Sequence, residues 1–327
     1  MMSTTMMMTP SETAQWLIER DNFLILTHRR PDGDTIGCAA GLCQGLRTIG
    51  KTAYVLYNEE ATERYMPFLE EYWAPDDLPE PEHVITVDTA SYTMFPENGA
   101  KYFGAVSLCI DHHRSNTLYA QATCLDAGLA SCGELVFDIL RKLPGAVCAR
   151  VAGCLYMAVS TDTGCFAFAN TTADSLRTAA ALIDAGAPYR ELNRMLFRSK
   201  SRARVKIEGM INSGLEFYFD DVVCIATITN AMMDEAGATE DDMPDIAAIP
   251  GSVEGVNVGI TIRELRGADG CKVSVRTAPT VSAHDICKKF GGGGHAMAAG
   301  FSLDATTSEI KEKLIAALRD VFPNTPA

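Results

Sequence analysis

The sequence predicts an α/β protein, in which a parallel-sheet α/β domain is joined by a helical linker to a smaller α+β domain. Three observations lead to this prediction. Strand-like apolar runs alternate with helix-like segments over the first 162 residues, and further strand-like runs cluster after residue 215. The chain has 327 residues, of which 47% are hydrophobic and 21% charged, so it can bury two cores.

The N-terminal domain begins with a helix that Ser11 can cap and that runs to about Arg20. Short apolar runs typical of buried strands follow at residues 23–26, 53–57, 83–88 and 104–111. Helical patterns occupy residues 35–49, 131–143 and 148–162. Such alternation favours a parallel sheet with helices on both faces, in which ligands bind at the carboxyl ends of the strands.

A further helix is predicted over residues 172–186, where Gly186 ends it. The segment 188–215 is basic and helical, and we interpret its part from residue 199 onward as the connection between domains. The predicted organisation is therefore a first domain over 1–198, a linker over 199–214 and a second domain over 215–327. The arginines of the segment are typical of a solvated helix, although some of them can instead face a ligand site.

The second domain has four strand-like stretches, namely "LEFYF", "VVCIATI", "GVNVGITIREL" and "CKVSVRTA". The acidic loop "ATEDDMPD" separates the second stretch from the third. A helix "SAHDICKKF", the run "GGGGHAMAAGFSL" and an amphipathic terminal helix complete the domain. This pattern is typical of a small α+β domain.

Composition excludes several classes of protein. The formal net charge of −14 argues against an extended nucleic-acid surface, which needs clustered Lys and Arg. Eleven scattered cysteines without a CxxC pair indicate reduced thiols and a cytoplasmic location. The N-terminus lacks the features of a secretory signal, and no stretch of about 18 apolar residues predicts a membrane span. The sequence does not determine the oligomeric state, and a homodimer is among the options.

Histidines and aspartates recur where predicted strands or helices end, in "HRRPDGD", "VITVD", "IDHHRSN" and "VSTDTG". The first turn needs only Pro31 and Gly33 for its geometry, so its acidic residues require another explanation. One explanation is a solvated turn with a helix N-cap at Asp34, and the other is a metal site. The candidate residues are His28, Asp32, Asp34, Asp88, Asp111, His112, His113 and Asp162.

Imidazole nitrogens combined with carboxylate oxygens suit Mn²⁺, Fe²⁺, Co²⁺ or Zn²⁺ better than Ca²⁺. The carboxylates also exceed what one divalent ion can neutralise. Two ions about 3.5–4 Å apart, sharing a carboxylate, would resolve the excess and would activate a water for attack on phosphorus. The pattern therefore predicts a dinuclear hydrolytic centre.

The run Gly291–Gly294, followed by His295, predicts a second kind of site. Successive glycines can point backbone N–H groups into one anion-binding concavity, whereas a flexible linker fits poorly inside a compact domain. Arg276 lies on a predicted strand and can bind a phosphate, although a surface ion pair is the simpler alternative. We expect the isolated His83 and His284 to be structural.

The motifs "HRRPDGD", "VDTA", "DHHRSN" and "STDTG", in this order, resemble those of the DHH phosphoesterase superfamily, and "GGGGHAMAAG" resembles the signature of the DHH-associated C-terminal domain. The resemblance covers about residues 15–320. It implies a two-domain phosphohydrolase with a manganese cleft between the domains. One metal would be held by His28, Asp32 and Asp88. The other would be held by Asp34, Asp88, His112 and Asp162, with Asp88 bridging.

The resemblance also implies roles around the metals. Asp111 would orient the histidines, and His113 would face the substrate phosphate and protonate the leaving group. The catalytic group would thus comprise Asp111, His112 and His113. Substrate would contact a set of residues drawn from both domains: His113, Asn116, Arg276, Gly292, Gly293, Gly294 and His295.

Within the superfamily, the compact acidic chain is similar to the branch of stand-alone oligoribonucleases (nanoRNases) and 3′-phosphoadenosine-5′-phosphate phosphatases. The implied activity is hydrolysis of short oligonucleotides to mononucleotides and of 3′-phosphoadenosine-5′-phosphate to AMP, with no long nucleic acid and no membrane as partner. Cyclic-dinucleotide phosphodiesterases have nearly the same layout and stay an alternative. A non-catalytic nucleotide-binding protein is a remote alternative, because the chain has every metal-binding residue that the resemblance implies.

Overall fold

The computed structural model describes residues 5–77, 79–243 and 245–323. The chain divides into two compact units, Met1–Ser199 and Lys200–Ala327. Each unit contains one six-stranded sheet, which confirms the predicted fold class. The predicted domain boundaries at residues 198 and 215 stay predictions. Residues 1–4 and 324–327 of the predicted domains, and Pro244 of the acidic loop, lie outside the described residues.

The sheet of the first unit is entirely parallel. Its strands are β1 (Met6–Met7), β2 (Phe23–Leu26), β3 (Ala53–Val55), β4 (His83–Val87), β5 (Val106–Asp111) and β6 (Ala122–Leu125). They lie in the order β1-β6-β5-β4-β2-β3. Because Leu26 pairs with Thr86 and Val87 with Ile110, the carboxyl ends of β2, β4 and β5 meet at one edge.

Seven helices belong to the described part of the first unit. They are α1 (Pro10–Ile18), α2 (Gly33–Thr48), α3 (Met66–Leu69), α4 (Cys132–Leu140), α5 (Ala149–Asp162), α6 (Ala173–Asp184) and α7 (Tyr189–Asn193). A π-helical turn, Arg194–Arg198, follows the last of these. Short 3₁₀ helices occupy Glu70–Tyr72, Tyr92–Met94 and Glu97–Tyr102.

The two faces of the parallel sheet are covered differently. Ile25 and Ile85 belong to one core cluster with residues of the long helices α1, α2, α4, α5 and α6. Leu24 and Val84 point into a second cluster formed with Phe95 and aromatic residues of the 3₁₀ segments. The expectation of helices on both faces is therefore wrong for the second face. Burial on both faces explains why the strands are continuously apolar.

Helices α2 and α5 pack closely because their contact is lined by small residues. A Cβ on Gly37 would lie 2.9 Å from the Cβ of Ala158, and a Cβ on Gly33 would overlap Thr161. This packing brings the first turn of α2, with Asp34, next to Asp162, the last residue of α5.

Two predicted helix starts differ from the structure. The N-cap of α1 is Thr9, not Ser11, since Thr9 and Glu12 form a reciprocal capping box and Pro10 occupies the first turn. The N-cap of α2 is Asp32, not Asp34, because the Asp32 side chain accepts the N–H groups of Asp34 and Thr35.

The sheet of the second unit is mixed. Its strands are β7 (Glu216–Tyr218), β8 (Val223–Ile228), β9 (Val258–Glu264), β10 (Cys271–Thr277), β11 (Gly293–Gly294) and β12 (Ala298–Leu303). The order is β11-β12-β10-β9-β8-β7, and only β8 and β9 pair in parallel. The helices are α8 (Arg202–Ser213), α9 (Asn230–Ala236), α10 (Ala283–Lys288) and α11 (Thr307–Arg319), with 3₁₀ turns at Glu240–Asp242, Ile246–Ala248 and Pro250–Ser252.

The helix that the sequence predicts as a linker is α8, which packs within the second unit. Ile207 and Ile211 are buried against residues of β8 and α9. Of the basic side chains in and just before this helix, Lys200 and Arg204 pair with Glu208, and Lys206 pairs with Glu235 of the same unit. Within the described residues, no helix is long and apolar enough to cross a membrane.

Candidate metal centre

The first motif turns directly from β2 into α2. His28 lies two residues after the strand, and its backbone carbonyl accepts a hydrogen bond of 2.9 Å from Asn58 Nδ2. Asp32 Oδ1 accepts the N–H groups of Asp34 and Thr35 at 3.0 and 3.2 Å. The turn is thus held by its own helix cap and by Asn58, and it presents His28 and Asp32 at the sheet edge.

Asp88 follows β4 and lies at the centre of the site. It is 2% exposed, and its backbone has φ of +54°, a left-handed conformation that is uncommon outside glycine. The Asp88 N–H donates to the carbonyl of Ile110, which ties the turn to β5. Strained backbone of this kind occurs where a side chain must be aimed.

The two carboxylate oxygens of Asp88 face different histidines. Oδ2 lies 3.6 Å from His28 Nε2, and Oδ1 lies 3.5 Å from His112 Nε2. Oδ1 is buried, and none of the described groups donates a hydrogen bond to it. A buried carboxylate oxygen without a donor fits coordination of a cation.

Asp34 and Asp162 also lie close to the Nε2 atom of His112. Asp34 Oδ2 lies 3.8 Å and Asp162 Oδ2 lies 3.7 Å from His112 Nε2. Asp34 is fully buried, and its oxygens accept the N–H groups of Cys132 and Gly133 at 2.7 and 2.9 Å. These donors belong to the first turn of α4, where unpaired N–H groups favour negative charge.

Both histidines present the same nitrogen to the carboxylates. His28 Nδ1 lies 2.7 Å from the carbonyl of Arg29, and His112 Nδ1 lies 3.2 Å from the carbonyl of Leu129. Because a carbonyl only accepts, each Nδ1 carries a proton, and Nε2 is the nitrogen that each ring directs to the cluster. This is the arrangement in which metal-binding imidazoles are oriented.

Three groups of donor atoms within the described residues lie within 4.8 Å of one another. They are His28 with Asp32 and Asp88, Asp34 with His112 and Asp162, and Asp88 with His112 and His113. Asp88 belongs to two of the groups. This mixture of imidazole and carboxylate donors fits divalent transition metals better than Ca²⁺ or a thiolate zinc site.

The electrostatics of the cluster favour binding of a cation. Burial and the neighbouring carboxylates raise the pKa of Asp34 well above its usual range and also raise that of Asp88. Burial and the charges of Asp88 and Asp32 raise the pKa of Asp162 to about 6, against the opposing effect of His112. Burial lowers the pKa of His28, but the carboxylates of Asp32 and Asp88, each 3.6 Å from His28 Nε2, outweigh burial and raise the pKa to about 10.

Asp111 lies outside these donor groups and is fully buried at the end of β5. Its Oδ1 accepts from His113 Nδ1 at 2.8 Å and from the N–H groups of His112 and His113. Its Oδ2 accepts from Asn116 Nδ2 at 2.6 Å. Although burial raises its pKa, these hydrogen bonds lower it overall, so Asp111 is an anion that orients both histidines.

The two remaining candidates of this motif, His113 and Asn116, are both partly buried. His113 is 38% exposed, and its hydrogen bond to Asp111 raises its pKa to about 9 against the effect of burial. Asn116 Oδ1 accepts the N–H of Leu118, so both polar ends of this amide are used within the motif. Its contact with substrate stays a prediction, while its contact with Asp111 is present in the structure.

The candidate substrate residues of the second unit lie on β10 and on the β11–β12 hairpin beside it. Arg276 is exposed on β10 and pairs in register with Ala298 of β12. The glycine run forms β11 and pairs with β12, so it is not a flexible linker. Gly294 has φ of +144°, and a Cβ on Gly292 would overlap the carbonyl of Gly300. These positions require glycine.

Two histidines bracket this glycine hairpin. The His295 N–H donates to the carbonyl of Ala298, and its side chain is exposed. His284 Nδ1 lies 3.0 Å from the carbonyl of Gly294, so this residue holds the hairpin. The other isolated histidine, His83, packs edge-on against Trp16.

Several groups that build the site are not evident in the motifs. The N–H groups of Cys132 and Gly133 hold Asp34, and the carbonyl of Leu129 orients His112. The helix cap Ser131 marks the position of these N–H groups in the sequence, but nothing local connects them with Asp34, which is 98 residues earlier. Asn58 has no sequence signal beyond its place after a strand.

The comparisons with known proteins match both units of the chain. Residues 22–159 match the DHH family, N-terminal domain, and residues 220–324 match the DHHA1 domain. The bifunctional oligoribonuclease and PAP phosphatase NrnA of Thermus thermophilus is 34% identical over 299 residues, covering 90% of this chain and 89% of that protein. The cyclic-di-AMP phosphodiesterase GdpP of Geobacillus thermodenitrificans is 26% identical over 338 residues, covering 94% of this chain and 48% of that protein.

A solved structure has the same architecture. The exopolyphosphatase-related protein from Bacteroides fragilis superposes with a TM-score of 0.83 at 22% identity, covering 96% of each chain. At this identity the likeness shows the shared fold alone.

Proposed function

The chain belongs to the DHH family of phosphoesterases, and we propose that it hydrolyses short oligonucleotides to mononucleotides and 3′-phosphoadenosine-5′-phosphate to AMP. This membership confirms the predicted family and the predicted class of enzyme, a phosphoric ester hydrolase. The substrates are proposed from the 34% identity to the Thermus thermophilus oligoribonuclease and PAP phosphatase, which spans 89% of that protein.

The observation that carries the proposal is the position of Asp88 between two sets of donors. Its Oδ2 faces His28, which shares a donor group with Asp32. Its Oδ1 is buried, receives no hydrogen bond from the described groups and faces His112. We assign one divalent ion to His28, Asp32 and Asp88. The second ion would be held by Asp34, Asp88, His112 and Asp162, and Mn²⁺ suits both donor sets.

Bound divalent ions would supply an activated water and would neutralise charge on the phosphoryl group. The chain's own residues then determine orientation and proton transfer. Asp111 fixes the ring of His113 through Nδ1 at 2.8 Å, which leaves Nε2 to act on substrate. The hydrogen bond to Asp111 raises the pKa of His113 to about 9 in the metal-free site, which favours the protonated ring that a proton donor to the leaving oxygen needs.

Arg276 and the Gly292–His295 hairpin are proposed to bind the substrate phosphate or terminal nucleotide. The guanidinium of Arg276 is exposed and can form a forked contact with phosphate. The N–H groups of Gly292 and His295 donate to the carbonyls of Cys287 and Ala298, and the glycines lack side chains that would keep a phosphate away from the hairpin. Both features belong to the neighbouring strands β10, β12 and β11, so together they offer a short binding surface that suits a small substrate.

A cyclic-dinucleotide phosphodiesterase is the second candidate. The 26% identity over 94% of this chain to the Geobacillus cyclic-di-AMP phosphodiesterase favours it. Cyclic and linear dinucleotides present the same phosphodiester to the metals, so the metal centre does not distinguish them.

The test is a side-by-side measurement of kcat/KM with Mn²⁺ on a linear dinucleotide, a cyclic dinucleotide and 3′-phosphoadenosine-5′-phosphate. We expect turnover of the linear dinucleotide and of 3′-phosphoadenosine-5′-phosphate to exceed that of the cyclic compound. Preference for the cyclic dinucleotide would favour the second candidate. No hydrolysis of any of the three by Mn²⁺-loaded protein would contradict both.

A further inference from the structure

The backbone of Ala130 is held from both sides by side chains. Its N–H donates to Glu134 Oε1 at 3.1 Å, and its carbonyl accepts from Asn170 Nδ2 at 3.2 Å. Glu134 lies in the first turn of α4, and Asn170 lies between α5 and α6. The two side chains therefore clamp the two peptide groups on either side of Ala130, in the loop between β6 and α4.

This loop orients candidate metal ligands through its backbone. The carbonyl of Leu129, which precedes Ala130, accepts a hydrogen bond from His112 Nδ1. Asp34 is held by the N–H groups two and three residues after Ala130, at the start of α4. Asn170 Nδ2 also donates to the carbonyl of Asp162 at 3.0 Å. Every ligand of the donor set Asp34, His112 and Asp162 is thus connected with the clamp.

Glu134 is an unusual choice for a purely structural helix cap. It is 4% exposed, and its Oε2 is buried without a donor among the described groups. In a capping box the residue at this position accepts the N–H of the cap itself, which here is Ser131. Glu134 instead accepts the N–H of Ala130, one residue earlier, and the hydroxyl of Ser175. Its contacts thus serve the loop that carries the Leu129 carbonyl.

We propose that Glu134 and Asn170 are positioning residues that hold the 129–133 loop so that His112, Asp34 and Asp162 meet one metal ion. The inference rests on the proposed metal-dependent function and adds two residues to it. Neither side chain contacts the metal ligands' coordinating atoms, so both act through the backbone. Partners of this kind, one step removed from the ligands, typically change metal affinity or activity by about 10- to 100-fold.

The test titrates Mn²⁺ into chelator-treated protein by calorimetry and follows thermal unfolding of the same samples. Glu134→Ala and Asn170→Ala should weaken the binding of one Mn²⁺ about 10- to 100-fold and leave the other less affected. Glu134→Gln keeps an oxygen that accepts from Ala130 and should restore most of the affinity. Asn170 is exposed, so its variant is expected to fold even where Glu134→Ala does not.

Ser175→Ala is the matched control, since it removes the other partner of Glu134 Oε1 and leaves the Ala130 contact in place. It should lower the unfolding temperature without changing Mn²⁺ affinity. If Asn170→Ala and Glu134→Ala bind Mn²⁺ as tightly as Ser175→Ala does, the inference is wrong while the proposed function stands. If the wild-type protein binds no Mn²⁺, the proposed function is wrong and the inference fails with it.

Discussion

Asp88 Oδ1 lies 3.5 Å from His112 Nε2 in a buried position where none of the described groups donates a hydrogen bond to it. Burial of an ionised carboxylate in such a position is unfavourable in free energy unless a cation is bound next to it. The same carboxylate meets His28 with its other oxygen. One residue therefore connects the two halves of the proposed dinuclear centre.

Replacement of this residue is the first prediction. Asp88→Asn keeps the side-chain volume and tolerates the left-handed backbone, but it removes a charge and one oxygen ligand. We expect bound Mn²⁺ to fall from about two ions per chain to one or none. Activity should fall by at least about 100-fold, the upper effect of residues one step removed from a metal.

The matched control is Asp184→Asn, which removes a carboxylate from an exposed position at the end of α6. Elemental analysis after dialysis against Mn²⁺ measures the stoichiometry. An Asp88→Asn protein that retains two ions and normal turnover would exclude the bridging role.

The second prediction concerns His113 as the proton donor. His113→Gln should lower kcat on a dinucleotide by about 100- to 10,000-fold, the usual range for a general acid. Hydrolysis of a nucleoside p-nitrophenyl phosphodiester should fall much less, because nitrophenolate leaves without a proton. Mn²⁺ content should stay normal. Loss of Mn²⁺ would instead identify His113 as a ligand, since its Nδ1 lies 3.5 Å from Asp88 Oδ1.

The third prediction is a pH dependence of the metal-free protein. The pKa of Asp162 is raised to about 6 in the folded state, so the native protein binds more protons than the unfolded chain between about pH 4 and 6. Stability without metal should therefore fall as the pH rises through that window. Asp34 and Asp88 change in the same direction.

Thermal unfolding in chelator between pH 5 and pH 7 tests this expectation. The unfolding temperature should decrease with pH, and added Mn²⁺ should raise it more at pH 7 than at pH 5. Asp162→Asn should show a smaller decrease. A metal-free protein that becomes more stable over this range would contradict the assignment of the crowded carboxylates.

The fourth prediction separates substrate binding from metal binding. Arg276→Ala should raise KM for nucleotide substrates about 10- to 100-fold, since a hydrogen bond to a charged group contributes about 1.5–3 kcal/mol. Mn²⁺ content should be unchanged. Lys272→Ala is the control, because Lys272 is exposed four residues earlier on the same face of β10. Equal effects of the two variants would indicate a general charge effect.

The fifth prediction concerns substrate length. Binding of a long strand needs a continuous basic groove or a row of stacking aromatics, worth about 1–3 kcal/mol per base. The chain is acidic, and Arg204 and Lys206 of α8 pair with carboxylates in their own unit. We expect kcat/KM to be highest for strands of a few nucleotides and to change little with salt. A steady rise with length, lost at high salt, would reveal an extended electrostatic groove.

The order of strands and helices follows from local patterns, and so does the placement of the candidate ligands. A polar residue after an apolar strand lies at the carboxyl edge of a parallel sheet wherever that strand is inserted. For this reason Asp88, and the histidines of the other motifs, could be assigned to one edge without coordinates. The wrong start predicted for α1 also has a local cause, because Pro10 favours a helix that begins at Thr9 and not at Ser11.

The sequence by itself thus determined the fold class, the family and the types of residue that meet at the candidate centre. The tertiary structure alone decided how they are held. The N–H groups of Cys132 and Gly133 reach Asp34 across 98 and 99 residues, and the carbonyl of Leu129 selects the protonated nitrogen of His112. Backbone N–H and C=O groups are the same in every residue, so no side-chain pattern records their long-range partners; only the packing of α4 against the sheet edge does.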